Sequence, residues 1–274
     1  MLYFKTLFLI LYLGISSSQA DIYHWQDSQG KKHYSDKPQL NAQAYKTSTA
    51  KSKRYFAIKA IYDGDTVQLS DGRKIRLLGI NTPEIAHRNN RAEAGGNAAK
   101  QWLVKALANK KVRLELGVEK QDKYKRYLAH LFTEEGLHIN LELVRLGFAS
   151  ISIYPPNFKY ADALLGASDA AEQRQLGIWQ YKQYQTKTVA QLNVDNKQGW
   201  QRIIGKVGRI KQTKKNTYLS LSNKMTLRIK KLDLALFGDI ELLKGKKIEA
   251  RGWVHRHKDK FTMLLRHPSA LKIK

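Results

Sequence analysis

Ser70-Asp71-Gly72-Arg73 stands between two apolar-alternating runs, and it limits the fold more than any other stretch of the chain. Gly72 accepts the positive φ of a tight hairpin turn. FAIKAIYDGDTVQL, with Phe56, Ile58 and Ala60 on one face, reads as a strand that continues through Val67 and Leu69 to the turn. KIRLLGI returns as the next strand and ends at Asn81-Thr82-Pro83-Glu84. The 23 residues Tyr62–Glu84 hold four acidic side chains, Asp63, Asp65, Asp71 and Glu84, and one arginine on the return strand, Arg76. Polar groups thus collect at strand ends, where side chains from separate strands can meet.

The rest of this region extends the pattern. Arg91 to Ala108 reads as a helix with two apolar rows, Ala98/Trp102/Ala106 and Ala99/Leu103/Leu107. KVRLELGV and RYLAHLFT read as strands, joined through QDKYK. His138 to Leu146 reads as a short helix that stops at Gly147. Lys159 to Gln175 reads as a second amphipathic helix, its inner face Ala163, Leu164, Ala167 and Ala170/Ala171. Leu176–Trp179 caps it, with Trp179 closing over the core. Three strands, a helix, two strands and then helices describe a five-stranded OB-type β-barrel with α additions, an α+β class.

Residues 198–274 repeat the order. GKVGRIKQ, TYLSLS and MTLRIK read as strands, LDLALFGDIELL as a short helix, KIEARGWV and KFTMLLR as two more strands. A second OB-type barrel is expected, an architectural echo without sequence repetition. Here 20 Lys/Arg face 5 Asp/Glu. The whole chain carries a formal charge of +26 in 274 residues. Such an excess points to a polyanion: nucleic acid, an anionic envelope polymer or a membrane surface. With Tyr218, Trp253 and Phe261 on strands, the last unit suits a single-strand-binding groove.

The N-terminus reads as an export signal over residues 1–20: Lys5, the apolar run Leu7–Ile15, then small residues at Ser18 and Ala20. No second apolar run of that kind follows, so a soluble, exported chain is expected, periplasmic or extracellular. Cysteine is absent, which excludes disulfides and cysteine chemistry. Residues 21–45 read as a small module whose IYHW and KKHYS strands flank an Asp-Ser-Gln-Gly turn. The polar residues that begin at 41 lead into a linker over 46–54. A barrel follows at 55–180, a second linker at 181–197 and the basic unit at 198–274.

The polar residues of the main unit suit phosphodiester hydrolysis. That reaction needs a cation on the non-bridging oxygens, a base for water and positive charge for the transition state. Asp65, Asn81 and the Thr82 carbonyl offer oxygen ligands to a hard cation such as Ca²⁺. Arg76 and Arg126 offer planar, bidentate phosphate contacts. Glu84, held behind Pro83, is a candidate base.

DGDTV, RLLGINTPE, DKYKR, VRLGFA and LGIW, in that order over Phe56 to Trp179, resemble the staphylococcal nuclease (thermonuclease) family. The resemblance implies an OB-fold nuclease that cuts DNA and/or RNA with Ca²⁺ and leaves 3′-phosphate ends. It implies Glu84 as general base, with Arg76 and Arg126 as the phosphate-binding arginines. Asp65 and the Thr82 carbonyl fall on metal-ligand positions, and Asp63 beside the metal. Lys123 and Tyr124 fall near the terminal phosphate of a bound nucleotide. Two positions depart from the family. Asn81 stands where a second metal aspartate is expected, which weakens Ca²⁺ binding or favours another divalent ion. Ser152 replaces the first of two tyrosines, while Tyr154 keeps the second. A nucleic-acid-binding protein with a weakened metal site is the alternative. The residues after the signal resemble a small bacterial envelope module of unknown function, and the last unit resembles nucleic-acid-binding barrels appended to secreted nucleases.

Overall fold

The structure is a computed structural model that describes residues 22–38, 42–45, 54–86, 91–192 and 199–274. The expected export signal lies outside the described residues, as does most of the first linker.

β1 (Ile22–Gln26) and β2 (Lys32–Ser35) form an antiparallel hairpin. Its turn is held by the Asp27 carboxylate, which accepts the Gln29 and Lys31 amides at 3.0 and 2.9 Å. β3 (Gln43–Tyr45) pairs with the other edge of β1, where the polar sequence reads as the approach to a linker. Ile22 packs with Ile153, Phe158 and Ala161 of the next unit, so the hairpin is docked on it.

β4 (Phe56–Ile61) and β5 (Thr66–Leu69) are two antiparallel strands; the alternation runs through both without marking the break, and with the return strand they make the three strands expected before the first helix. The chain reverses at Tyr62–Asp65. The Asp63 carboxylate accepts the Asp65 amide at 2.9 Å, a local turn that competes with extended pairing. Gly64 lets this turn press against the barrel, because a Cβ there would lie 2.7–2.8 Å from Thr82 and Ala99. β6 (Lys74–Leu77), β7 (Gly79–Asn81), α1 (Gly96–Leu107), β8 (Lys111–Gln121), β9 (Tyr127–Thr133), α2 (Ile139–Arg145), β10 (Ser150–Ser152) and α3 (Ala161–Gln173) follow.

Strands β4-β5-β6-β9-β8 close into a barrel, with β6 and β9 parallel. Val67, Leu69, Ile75, Leu77, Ala129 and Leu131 fill it, and Leu103, Leu143 and Leu164 of the three helices complete one core. Each such aliphatic side chain contributes about 1.5–3 kcal/mol on burial. This is the OB fold with added helices.

α1 starts five residues later than the sequence predicts, at Gly96, which packs on the Glu84 backbone. α3 buries Ala161, Leu164, Ser168 and Ala171; of the expected face Leu164 and Ala171 are inside and Ala167 is half-buried against the core, while Ala163 and Ala170 are exposed. A row of small residues does not define a helix face by size alone.

β11 (Thr186–Thr188), β12 (Gly199–Lys206), β13 (Arg209–Gln212), β14 (Asn216–Ser220), β15 (Met225–Lys230), β16 (Lys247–His257), β17 (Lys260–Leu265) and β18 (Leu271–Ile273) make one eight-stranded sheet. Its path runs β11-β12-β16-β17-β15-β14-β13, with β18 added on β16. The path ends on β13, the segment that follows β12 in the chain. β15 and β17 are parallel, as β6 and β9 are. GKVGRIKQ is therefore not one strand. It breaks at Val207-Gly208, and its first half extends back to Gly199. The expected helix is two 3₁₀ segments, Lys231–Phe237 and Ile240–Leu243, interrupted at Gly238.

The two larger units are joined by ions and rings. Glu172 of α3 meets Arg202 and Arg251, and both arginines also bond Glu249. Arg202 and Arg251 lie opposite each other on β12 and β16. Trp179, 1% exposed, sets its ring 6.0 Å from that of Trp200. Trp179 thus closes a contact between units rather than the barrel core alone.

Candidate active site

Asp65 ends the turn before β5 and is 5% exposed. Its Oδ2 accepts the Thr82 amide at 2.9 Å and meets Arg76 Nη1 at 3.0 Å. Arg76 sits opposite Thr66 on the β5–β6 ladder. Its Nη1 also donates to the Leu77 and Ile80 carbonyls, and its Nη2 to Asn81 Oδ1 at 3.1 Å. Fully buried Asn140 of α2 fixes the backbone between β6 and β7 by donating to the Leu78 carbonyl at 2.9 Å. That bend carries Asn81 and Thr82 back over Asp65.

Arg126 arrives from the far end of the β8–β9 connection. Asp122 Oδ2 accepts both its Nε at 2.8 Å and its Nη2 at 2.7 Å, so the guanidinium fork closes on one carboxylate oxygen. The same carboxylate accepts the Tyr124 and Arg126 amides and so builds the loop as well. Arg126 Nη1 lies 3.4 Å from Thr66 Oγ1, which in turn donates to Asp65 Oδ1 at 3.2 Å. Lys123 and Tyr124 stand on the loop, with the Lys123 Nζ 4.8 Å from the Tyr124 ring centre. Arg76, Asn81, Lys123, Arg126 and Tyr154 line one cleft of about 290 Å³.

Glu84 is exposed and does not line that cleft. Its backbone is tied to Glu93, which takes the Glu84 amide on its carboxylate at 3.1 Å and donates its own amide to the Glu84 carbonyl at 2.8 Å. Partial burial, then Asp65 and Glu93, hold the Glu84 carboxyl above its ordinary value, while Arg76 and Arg126 pull it back. Burial and the neighbouring Asp65 push the Asp63 carboxyl up to about 6.

Glu93 escaped the sequence reading, and Asp122 entered it only among the polar residues of the main unit, within DKYKR, without a role of its own. Asp122 has a signal, its four-residue spacing from Arg126 across a turn. Glu93 has none, since nothing in its neighbourhood marks a partner for Glu84.

The donor set fits a hard cation by chemistry. Asp63 and Asp65 crowd two carboxylates near the Arg76 guanidinium, and Thr82, whose amide Asp65 binds, adds a backbone carbonyl. Asn81 fits less well. Its Oδ1 is engaged by Arg76, and its Nδ2 donates to the Thr82 carbonyl at 3.1 Å. Among the described residues no three His, Asp or Glu side chains converge as a ready metal cluster.

Comparison with known proteins places these residues in a family. A family model described as Staphylococcal nuclease homologue matches residues 74–181, and one for a domain of unknown function matches residues 9–54. The chain is 36% identical to a thermonuclease of Staphylococcus intermedius over 138 residues, 49% of this chain and 82% of that protein. It is 33% identical to a thermonuclease of Staphylococcus hyicus over 135 residues, 48% of this chain and 79% of that one. Endonuclease YhcR of Bacillus subtilis is 33% identical over 134 residues, 44% of this chain but 11% of that protein. The closed barrel, its three helices and this similarity have one reading: the chain belongs to the staphylococcal nuclease family, and it is a nuclease.

Proposed function

We propose that the protein is an exported nuclease that hydrolyses phosphodiester bonds in DNA and/or RNA. In this reading Arg76 and Arg126 clamp the scissile phosphate, and Glu84 takes the proton of the attacking water. The observation that carries it is the convergence on Thr66. Arg76 faces Thr66 across the ladder, Arg126 reaches its hydroxyl, and that hydroxyl bonds Asp65. Two guanidiniums from separate hairpins thereby border one point at the mouth of a closed barrel. They are held by Asp65 and Asp122 before substrate arrives, so little reorganisation is left for the reaction.

Asp65 and the Thr82 carbonyl, with Asn81, are the residues that would hold a divalent cation, Ca²⁺ first. When bound, it would neutralise charge on the phosphate oxygens. Glu84 stands at the rim, where partial burial raises its carboxyl, both arginines oppose that rise, and water can reach it, a setting that suits a general base. Lys123 and Tyr124, on the loop that Asp122 holds, would meet a terminal phosphate. The basic unit after residue 198 would hold more of the nucleic acid, consistent with its charge.

Incubating the full chain with plasmid DNA and with RNA, in Ca²⁺ or in EDTA, tests this reading beside Glu84→Gln. Metal-dependent cleavage that Glu84→Gln abolishes is expected. An equally active Glu84→Gln protein would overturn the assignment. The second reading, a binding protein with a weakened metal site, draws on the engaged amide of Asn81 and is supported if the wild-type chain binds but does not cut.

A further inference from the structure

The cleft between Arg76 and Arg126 does not end at the nuclease barrel. Ser152 and Tyr154 line it, and the same two residues line a second groove of about 270 Å³ whose opposite wall is the C-terminal sheet. The two spaces therefore adjoin across one tyrosine.

One strand builds most of that wall. Alternation along β16 sends Ala250 and Val254 into the C-terminal core, where both are buried. Glu249, Arg251, Trp253 and His255 project the other way. Arg251 is held by Glu172 of α3, and Glu249 by Arg251 and Arg202. Trp253 and His255 continue past that contact into the groove, the first half-buried and the second exposed. Trp200 lies directly opposite Trp253, and its own ring is packed against Trp179 and Tyr184. Arg266 stands across the groove with its guanidinium 4.8 Å from the centre of the Tyr154 ring.

The groove thus offers aromatic faces and cationic groups, and none of its lining residues is acidic. Trp253 has no ring or hydrogen-bond partner for its indole among the described residues. A half-buried indole without a ring partner suits a stacking surface for a planar ligand. The ionic contact at Glu172 fixes the wall relative to the barrel, so the groove exists before anything binds.

We propose that this groove is a second subsite for the same nucleic acid: it takes unpaired bases flanking the scissile phosphate, stacked on Trp253 and Tyr154, with Arg266 on their backbone. The proposal rests on the reading of the Arg76/Arg126 cleft as the nuclease site. Only an unpaired strand fits, because the faces of paired bases are covered by their neighbours. Stacking reads no sequence, since every base has a π face.

The test measures binding by fluorescence anisotropy with the full-length chain carrying Glu84→Gln, alone and with Trp253→Ala, Trp253→Phe or Arg266→Ala. The probes are labelled oligothymidylates of about twenty and about four nucleotides, chosen because each stacked base is worth about 1–3 kcal/mol. The long probe is expected to lose about tenfold or more in affinity with Trp253→Ala. The ratio of long to short affinities should fall with it, and Trp253→Phe should restore most of it. Losses equal for both lengths, or no loss, would overturn the proposal, as would polyphosphate competing as well with the Trp253→Ala protein as the oligonucleotide does with its parent. A duplex that gains as much as the single strand from Trp253 would also overturn it. Plasmid cleavage by the wild-type chain, measured alongside, reports separately on the nuclease reading.

Discussion

Asn81 holds Arg76 and Thr82 at once: its Oδ1 accepts Arg76 Nη2 at 3.1 Å while its Nδ2 donates to the Thr82 carbonyl at the same distance. The amide therefore stitches together an arginine and a backbone oxygen that the proposed metal site would use. A carboxylate in its place keeps the bond to Arg76, turns it into an ion pair, and releases the Thr82 carbonyl.

Asn81→Asp should lower the Ca²⁺ concentration for half-maximal cleavage, by about tenfold, because a third carboxylate joins Asp63 and Asp65. Without Ca²⁺ the same change should cost about 1–2 kcal/mol of stability through like-charge crowding. Calcium titrations of rate and of thermal midpoint read both effects. A raised Ca²⁺ requirement would remove Asn81 from the ligand set.

Asp122→Asn tests how much the positioning of Arg126 matters. The amide keeps an acceptor for the loop amides but loses the charged fork at Arg126 Nε and Nη2. Freed of its counter-charge, Arg126 would attract phosphate more strongly, yet it would no longer be held in one orientation. Orientation should dominate, so kcat/KM is expected to fall by about tenfold, roughly 1.4 kcal/mol. The loss should appear mainly in kcat, since the charge that binds substrate remains.

Gly96→Ala should reach the proposed base through the backbone. A Cβ at Gly96 would lie 2.5 Å from the Glu84 carbonyl oxygen, a contact neither backbone can relieve without moving. Destabilisation of about 1–3 kcal/mol is expected from overpacking. If Glu84 is the base, kcat falls as well even at temperatures where the variant is folded. Urea melts and single-turnover rates on one preparation separate the two effects.

A buried histidine pair should make the fold acid-sensitive. His130 Nδ1 and His138 Nε2 are 3.0 Å apart, and the His138 ring stacks on Phe132 at 4.4 Å. Burial holds His130 well below its ordinary value and His138 down to about 4. Arg113, Lys159 and Tyr160 surround them with Glu115, whose carboxyl burial would raise but whose hydrogen bonds from Lys159, Arg113 and Tyr160 hold at about 2. The unfolded chain takes protons on these histidines below about pH 6.5 and the folded chain does not. Stability is therefore complete above pH 6.5 and drains away as pH falls toward 4, by on the order of 3 kcal/mol for His138. Glu115 has the same sign but acts lower, between its unfolded value and about 2. Denaturant midpoints at pH 7.5 and 4.5 should differ more in the wild type than in His138→Gln.

Much of the fold was legible because its causes are local. The alternation of Val67, Leu69, Ile75 and Leu77, the turn at Gly72 and the amphipathic spacing of Leu103 and Leu107 each act within a few residues. Where local signals conflicted, reading failed. At Tyr62–Asp65 alternation continued through a stretch that Asp63 and Gly64 turn into a reversal. In α3 the small residues left the edges of the face undetermined: Leu164 packs in the barrel core and Ala171 in the cluster of Ile178 and Trp179, while Ala163 and Ala170 stay exposed.

Sequence alone determined the charge that points to a polyanion, the strand-helix-strand order and the residue types of the site, because these follow from composition, periodicity and motif. Tertiary structure alone decided which of them meet. Arg126 joins Thr66 from sixty residues away, and Glu84 stands at the rim rather than in the cleft. Glu172, which no sequence signal singles out, becomes the bolt between two units, and Trp253 acquires a groove to face. Contacts of that kind depend on how whole elements pack, and burial is a property of the assembled surfaces rather than of any residue within them. The short stretch Tyr62–Glu84 carries half of a site, and the β8–β9 connection completes it only once the barrel has closed.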